Sequence, residues 1–436
     1  MYDLAIVNGK VWIDQAFHRT NIYVLGGKIA ALSAARFDAS ETINATNQFV
    51  IPGIIDPHVH FALGSKDRVS VDDFDSGTLA GAHGGVTTII DFLDPASNVE
   101  ELTLAYAKRQ QEAKGAHVDY RFHATIKRPS GSLEDFVFKM EQLGLTTLKL
   151  FTTYSDSGRR TDDDAIKTLL KLTTRHPFKL LAHIENDQMI DLNPNLTYQL
   201  LPWARPPLSE SEEAIKLAGY VQETGGTLYM VHLSSGDTLE KLITRYPDII
   251  NQRFYIESCP HYFTFTQDAL SKSDGYLYTM APPLRSLKEQ NKLKEQIDDI
   301  HCIGTDHCSY NIAQKHRQLI DQIPLGIGGI EHSFVMMHSL FGDKVIDKMT
   351  ANVADIHGLP SKGKIKLGLD ADFAIFENRP PYSIRSSHTR ADNDLYLGMR
   401  VTTKLMRTIL RGKTIVSDDC FLGSEGQYVK GVIISG

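Results

Sequence analysis

Eight apolar runs rich in Val, Ile, Phe and Tyr recur through the middle of the chain, at residues 49–61, 87–93, 118–126, 146–154, 179–185, 227–234, 253–262 and 301–308. Segments of helical character fall between them, among them 100–114, 162–174, 210–223 and 287–297. Parallel strands need crossover connections, so strands that alternate with helices leave few foldings open. Eight such units in a row predict an α/β fold, a (β/α)₈ TIM barrel spanning residues 51–362. The rival is a doubly wound open sheet, which usually carries a Gly-rich phosphate turn after its first strand. None follows residues 49–61, and the Gly-rich run 326–329 has no Walker lysine.

The ends have a different texture. Short apolar runs at 4–7, 10–13 and 21–25 are punctuated by Asn8-Gly9, Asp14-Gln15 and Gly26-Gly27. Asn-Gly between two apolar runs reads as a hairpin. A similar pattern returns after Gly363, in KGKIKLGLDADFAIF and RTILRGKTIVSDDCFLG. Neither end carries enough apolar residues to stand alone, so residues 1–50 and 363–436 are expected to meet in one small β-sandwich domain. A chain of 436 residues has room for both parts.

Composition narrows the function. A net charge of −7 without a basic block gives no footprint for nucleic acid or a membrane surface. The start, MYDLAIVNGKVWID, lacks a signal-peptide pattern, and no apolar run approaches the ~18 residues that span a bilayer. Cys259, Cys302, Cys308 and Cys420 form no C-x-x-C pair and read as reduced thiols in a cytoplasmic protein.

Catalytic groups of a barrel sit where its strands end. Those ends offer His58 and His60, Lys149, His183, His232 and Asp306, each interrupting an apolar run. His58 and His60 are two apart and share one face of a strand. One buried histidine is usually a satisfied core residue. Four of them with a carboxylate at strand ends suit a metal, because unpaired buried ionisable groups cost several kcal/mol each. Lys149, between Leu148 and Leu150, must pair, lose its charge, or add carbon dioxide. The carbamate so formed is an anionic ligand able to bridge two cations, and neutral imidazoles beside it suit zinc.

The motifs around these residues resemble the amidohydrolase superfamily, and within it the cyclic amidohydrolases. PGIIDPHVHF and DDFDSGTLAGAHGGVTTIIDF begin the match; LKLFTTY, LAHIEND, LYMVHLSS, ESCPHYFTFT, MAPPLR and CIGTDHCSY continue it in order. The resemblance implies two divalent ions, with His58, His60 and Asp306 on one, His183 and His232 on the other, and carbamylated Lys149 bridging. It also implies hydrolysis by a hydroxide shared between the ions, with Asp306 carrying its proton to the leaving nitrogen, and a homo-oligomer, tetramer or dimer. The tail 423–436 is expected to have few anchors of its own, which suits assembly.

The ring acted on is argued from outside the ligand set. Dihydroorotases usually place Arg two residues after the second histidine and Asn after strand 2, where this chain has Ala62 and Asp94. Allantoinases carry a similar Asn-containing segment, also unmatched. DDFDSGT and Tyr154, five residues after Lys149, instead resemble dihydropyrimidinases and hydantoinases, in which that tyrosine donates to the developing oxyanion. The expectation is hydrolysis of a dihydropyrimidine or hydantoin to an N-carbamoyl amino acid, with dihydroorotase or allantoinase activity as the alternative. Ala281 stands where hydantoinases often have Ser, and Leu325 near an expected Asn; both are candidate substrate contacts. Loops 62–71 and 155–160 should flank the pocket, and Lys66, Arg68, Arg159 or Arg160 could meet an acidic substituent. A non-catalytic scaffold of the collapsin response mediator type would have lost ligands, and a mononuclear deaminase would lack Lys149. All six ligand positions are filled.

Overall fold

A computed structural model describes residues 1–64 and 68–431. Lys66 lies outside them. The barrel strands are β1 (Ile54–Val59), β2 (Val86–Phe92), β3 (Asp119–Thr125), β4 (Thr147–Phe151), β5 (Lys179–His183), β6 (Leu228–Met230), β7 (Phe254–Ser258) and β8 (Cys302–Ile303). They pair in sequential order, all parallel. The circle closes where the residues after β8 meet β1: Val59 bridges His307, and the His60 backbone N–H donates to the His307 carbonyl at 2.8 Å. All seven residues of β2 are buried, as strands covered on both faces must be.

The longer outer helices are α1 (Phe74–His83), α2 (Val99–Glu112), α3 (Leu133–Gln142), α4 (Asp163–Leu172), α5 (Pro207–Thr224), α6 (Gly236–Arg245), α7 (Leu287–Glu295) and α8 (Ser333–Phe341). Side-chain caps start most of them: Asp73, Asn98, Ser132, Asp162, Ser235 and Ser286 each accept from a backbone N–H of the first turn. In α4 the buried residues Ile166, Leu169 and Leu170 follow the helical repeat and face the sheet.

The apolar run 49–61 is divided between two sheets. Gln48–Pro52 joins a seven-stranded sheet, while Ile54–Val59 opens the barrel. Gly53 is the joint; a Cβ there would lie 2.1 Å from Thr87 Oγ1, so only glycine passes. The seven-stranded sheet pairs Gln48–Pro52 with Phe373–Ser383 and so brings both chain ends together. A four-stranded sheet (Lys28–Ser33, Asn21–Leu25, Tyr2–Val7, Ala39–Asn44) packs on it. Ile22 and Val24 from one sheet share a core with Val50, Phe373 and Ile409 from the other, making the sandwich.

Two expectations are corrected here. Asn8-Gly9 is not a hairpin: Tyr2–Val7 and Lys10–Ile13 lie in different sheets. Asn8 takes the left-handed φ of 67°, but Gly9 is packed against Ala45 and Val50 as the chain crosses between layers. The true hairpins turn at Asp14-Gln15 and Gly26-Gly27, all four with positive φ. The tail is also well tied. Gly426 donates to the Ala116 carbonyl at 2.7 Å, and Tyr120 exchanges backbone bonds with Gln427 and Val429 at 3.0 and 2.9 Å. Residues 432–436 lie outside the described part.

Candidate metal centre

Barrel closure brings the strand ends to one cavity of about 140 Å³. Its lining includes His60, Lys149, Tyr154, Arg159, His183, His232, Ala281, Asp306 and Leu325. Two larger clefts, about 590 and about 700 Å³, lie against the outer sheets and hold no histidine or cysteine. His232, Asp306 and Tyr154 all have positive φ, at 42°, 50° and 67°. Such strained backbone persists where surrounding structure holds a side chain on target.

On one side of the cavity, His58, His60 and Asp306 form a group that could hold a metal ion. The two Nε2 atoms are 3.2 Å apart, and Asp306 Oδ1 lies 3.2 Å from His58 and 3.1 Å from His60. His58 Nδ1–H donates to Glu257 Oε1 at 2.7 Å, which leaves Nε2 as the free donor atom. Burial disfavours charge on His58, but Glu257 and Asp306 outweigh it and raise its pKa to about 9. A cation in place of that proton would meet the same two carboxylates. Burial opposes the charge on Asp306 too, yet His58 and His60 hold it well below the ordinary carboxylate range.

On the other side, His183 Nδ1 and His232 Nε2 lie 3.0 Å apart. His183 Nε2–H donates to Glu185 Oε2 at 2.7 Å, again turning the other nitrogen inward. Burial lowers His183 to about 4 and, with His183 beside it, His232 well below its ordinary value. At this distance a proton on one of the two neutral rings is shared between the facing nitrogens, and a cation can take its place. The two rings fit a cation between them, with Glu185 fixing the His183 ring as Glu257 fixes that of His58.

Lys149 sits between the two halves. Its Nζ lies 5.1 Å from the Phe92 ring and 5.0 Å from that of Phe151, with no carboxylate in ion-pair range among the described residues. Burial lowers its pKa to about 8, partly opposed by Asp306 and Glu257. Tyr154 reaches the cavity beside His183, ring centroids 5.2 Å apart, and the Arg205 guanidinium lies over the Tyr154 ring, 5.0 Å from its centroid. Burial raises the Tyr154 pKa, so the phenol stays protonated and able to donate.

Of the remaining expectations, Ala281, Leu325 and Arg159 do line the cavity, whereas Arg68 and Arg160 do not. Asp94 points away and pairs with Lys108 at 2.6 Å, so it repels nothing in the pocket. Leu63, Leu93, Pro95 and Phe151 make much of the remaining wall apolar. Sequence reasoning missed Glu257, Glu185 and Arg205. The two glutamates interrupt apolar runs as the candidate ligands do and were open to the same argument. Arg205 carries no local signal; it meets Glu185 only through folding, with Nε 3.2 Å from Oε1.

Comparison with known proteins agrees with this geometry. The amidohydrolase family pattern matches residues 49–192. The chain is 31% identical to the D-hydantoinase of Geobacillus stearothermophilus, over 98% of this chain and 96% of that one. It is 32% identical to the D-phenylhydantoinase of Escherichia coli (strain HS), over 89% and 88%. A D-hydantoinase crystal structure superposes with a TM-score of 0.94 at 29% identity, covering 100% of both chains. The dihydropyrimidinase of Brevibacillus agri does so at 0.92 and 27%, again over 100% of both.

Proposed function

The chain belongs to the amidohydrolase family, close to its hydantoinase and dihydropyrimidinase members, and we propose that it opens a cyclic ureide by hydrolysis. The substrate is a dihydropyrimidine or a 5-substituted hydantoin, and the product is the N-carbamoyl amino acid. The observation that carries this reading is the meeting of three imidazoles (His60, His183 and His232), Lys149, Asp306 and Tyr154 on one cavity, with His58 3.2 Å from His60.

His58, His60 and Asp306 would hold one divalent ion, His183 and His232 a second, and Lys149 would join both as its carbamate. The lysine nitrogen bonds to the carbon of carbon dioxide and releases a proton, a step that needs the neutral amine. Its depressed pKa, about 8, and apolar surroundings support that chemistry. The histidine-rich donor set supports zinc. When bound, such ions supply Lewis-acid polarisation of a carbonyl and lower the pKa of water.

Asp306, ionised beside His58 and His60, accepts the proton of the water that adds to the ring carbonyl. It then returns that proton to the ring nitrogen as the C–N bond breaks. Tyr154 donates its hydroxyl hydrogen bond to the carbonyl oxygen as negative charge develops there. The apolar wall of Leu63, Leu93, Pro95 and Leu325 supports an apolar ring substituent, with Arg159 at the exposed margin. The test is turnover of dihydrouracil, dihydrothymine, substituted hydantoins, allantoin and dihydroorotate by the metal-replete protein. Carbamoyl product from the first three is expected. No product from any of them would overturn the reading.

A homo-oligomer, dimer or tetramer, is part of this proposal. Trp203, 64% exposed, with Leu192, Leu200 and Leu208 supports a covered face. Sedimentation should give a multiple of 48.7 kDa; a monomer at micromolar concentration speaks against it. Four free cysteines, three of them buried, support a cytoplasmic setting. No helix among the described residues is long and apolar enough to cross a membrane.

A further inference from the structure

A second group of potential ligands lies outside the barrel mouth and shares no residue with it: His83, His388 and Asp419. His83 ends α1, and Gly84 behind it is packed so closely that a Cβ would lie 2.5 Å from the Glu331 carbonyl oxygen. The helix end is thereby fixed against the segment leading into α8. His388 lies between the strands Phe373–Ser383 and Arg400–Leu410. Asp419 sits in the tight turn between Lys413–Ser417 and Cys420–Phe421, where Asp418 and Asp419 both have positive φ. Three elements distant in sequence thus each present one donor.

One nitrogen from each histidine and one oxygen of Asp419 lie within 4.8 Å of one another. The two rings stack face to face, with centroids 3.5 Å apart and planes 12° from parallel, so one ring must turn before both in-plane lone pairs meet a single ion. His388 Nδ1–H donates to Glu331 Oε1 at 2.9 Å, and the His388 backbone N–H donates to Oε2 at 2.6 Å. Glu331 therefore fixes the ring and leaves Nε2 as the free atom, the arrangement seen when a carboxylate orients a metal-binding imidazole. His83 is 8% exposed, and its Nδ1 is buried with no hydrogen-bond partner, 3.6 Å from Asp419 Oδ1. A buried imidazole nitrogen without a partner, aimed at a carboxylate beside a pre-oriented second imidazole, lacks one component.

We propose that His83, His388 and Asp419 bind one divalent transition-metal ion of borderline softness, zinc being the type, at a structural site separate from the barrel centre. Two imidazoles and a carboxylate suit zinc, with water completing the shell. The ion ties α1 of the barrel to the seven-stranded sheet through a single point. It also anchors the residues that follow His388: Thr389 and Arg390 bind Asp72, which in turn pairs with His307 at 3.0 Å. The staple thus steadies a segment reaching toward the strand end that carries Asp306.

The test is equilibrium dialysis of the full chain against zinc ions, comparing the unaltered protein with His388→Ala and Asp419→Asn. The difference in bound zinc between proteins is the readout, so the occupancy of the barrel centre cancels. At a free zinc level that saturates the unaltered protein, it should hold one more ion per chain than His388→Ala. Asp419→Asn, a change at an exposed turn that leaves the core untouched, should weaken that ion ~10-fold or more. Zinc should also raise the thermal midpoint by a few degrees in the unaltered protein beyond any rise in His388→Ala. Equal zinc content and affinity in the unaltered protein and Asp419→Asn would overturn the proposal, as would equal content in His388→Ala.

Discussion

Glu257 accepts from His58 Nδ1 at 2.7 Å, across 199 residues of chain, while its other oxygen accepts the Tyr229 hydroxyl at 2.8 Å. The carboxylate also takes the His232 backbone N–H at 3.1 Å. One buried side chain therefore sets the tautomer of a candidate ligand on β1 and the position of another after β6. Glu257→Gln should weaken metal binding ~10- to 100-fold, the usual effect of removing a carboxylate behind a metal-binding histidine. Competition with a chelator of known affinity measures it. Unchanged metal retention would remove Glu257 from that role.

Lys149→Ala should lose most bound metal and nearly all ring-opening activity, because the shared anionic ligand goes with it. Acetate, a small carboxylate, should restore part of both by occupying the vacated space between the histidine pairs. The measurement is metal content and turnover with and without acetate. Full activity without any additive would sink the carbamate assignment.

Tyr154→Phe should lower kcat ~10²-fold with little change in KM, since the hydroxyl acts on charge that appears only in the transition state. The phenyl ring would keep its contacts with His183 and Arg205, which separates loss of the donor from loss of packing. A kcat within a few-fold of the parent at equal metal content would make Tyr154 a wall residue.

Lys315 gives a pH dependence with a defined sign. Its Nζ donates to the carbonyls of Thr279 at 2.8 Å and Gly326 at 2.5 Å, and burial lowers its pKa from 10.5 to about 7. Below the folded value both folded and unfolded chains carry the proton, and the folded state bears the full cost of a buried charge. Between about 7 and 10.5 the unfolded chain binds more protons, so this group's contribution to stability rises with pH. Lys315→Met abolishes that titration. The thermal midpoint of the unaltered protein should therefore gain on that of Lys315→Met between pH 7 and pH 9. A gap that stays constant or shrinks would contradict the assignment.

The sequence alone determined the barrel and the identity of the ligand candidates. Both are local signals: apolar runs long enough to be buried strands, and ionisable residues interrupting them at His58, Lys149, His183 and His232. A strand's periodicity and the cost of burying charge act within a few residues, so they can be read without knowing what lies opposite. Tertiary structure decided what each residue faces. Asn8-Gly9 had the composition of a hairpin, yet packing of Gly9 against Ala45 and Val50 sends the chain into a second sheet. Asp94 stood at a plausible pocket position and turned out to pair with Lys108 outside it. Glu257 for His58, and Arg205 with Glu185 for His183 and Tyr154, are partnerships made only when the barrel closes. A hydrogen bond needs its two atoms within about 3 Å, and no feature of either residue's own neighbourhood in the chain specifies which distant strand will supply the other.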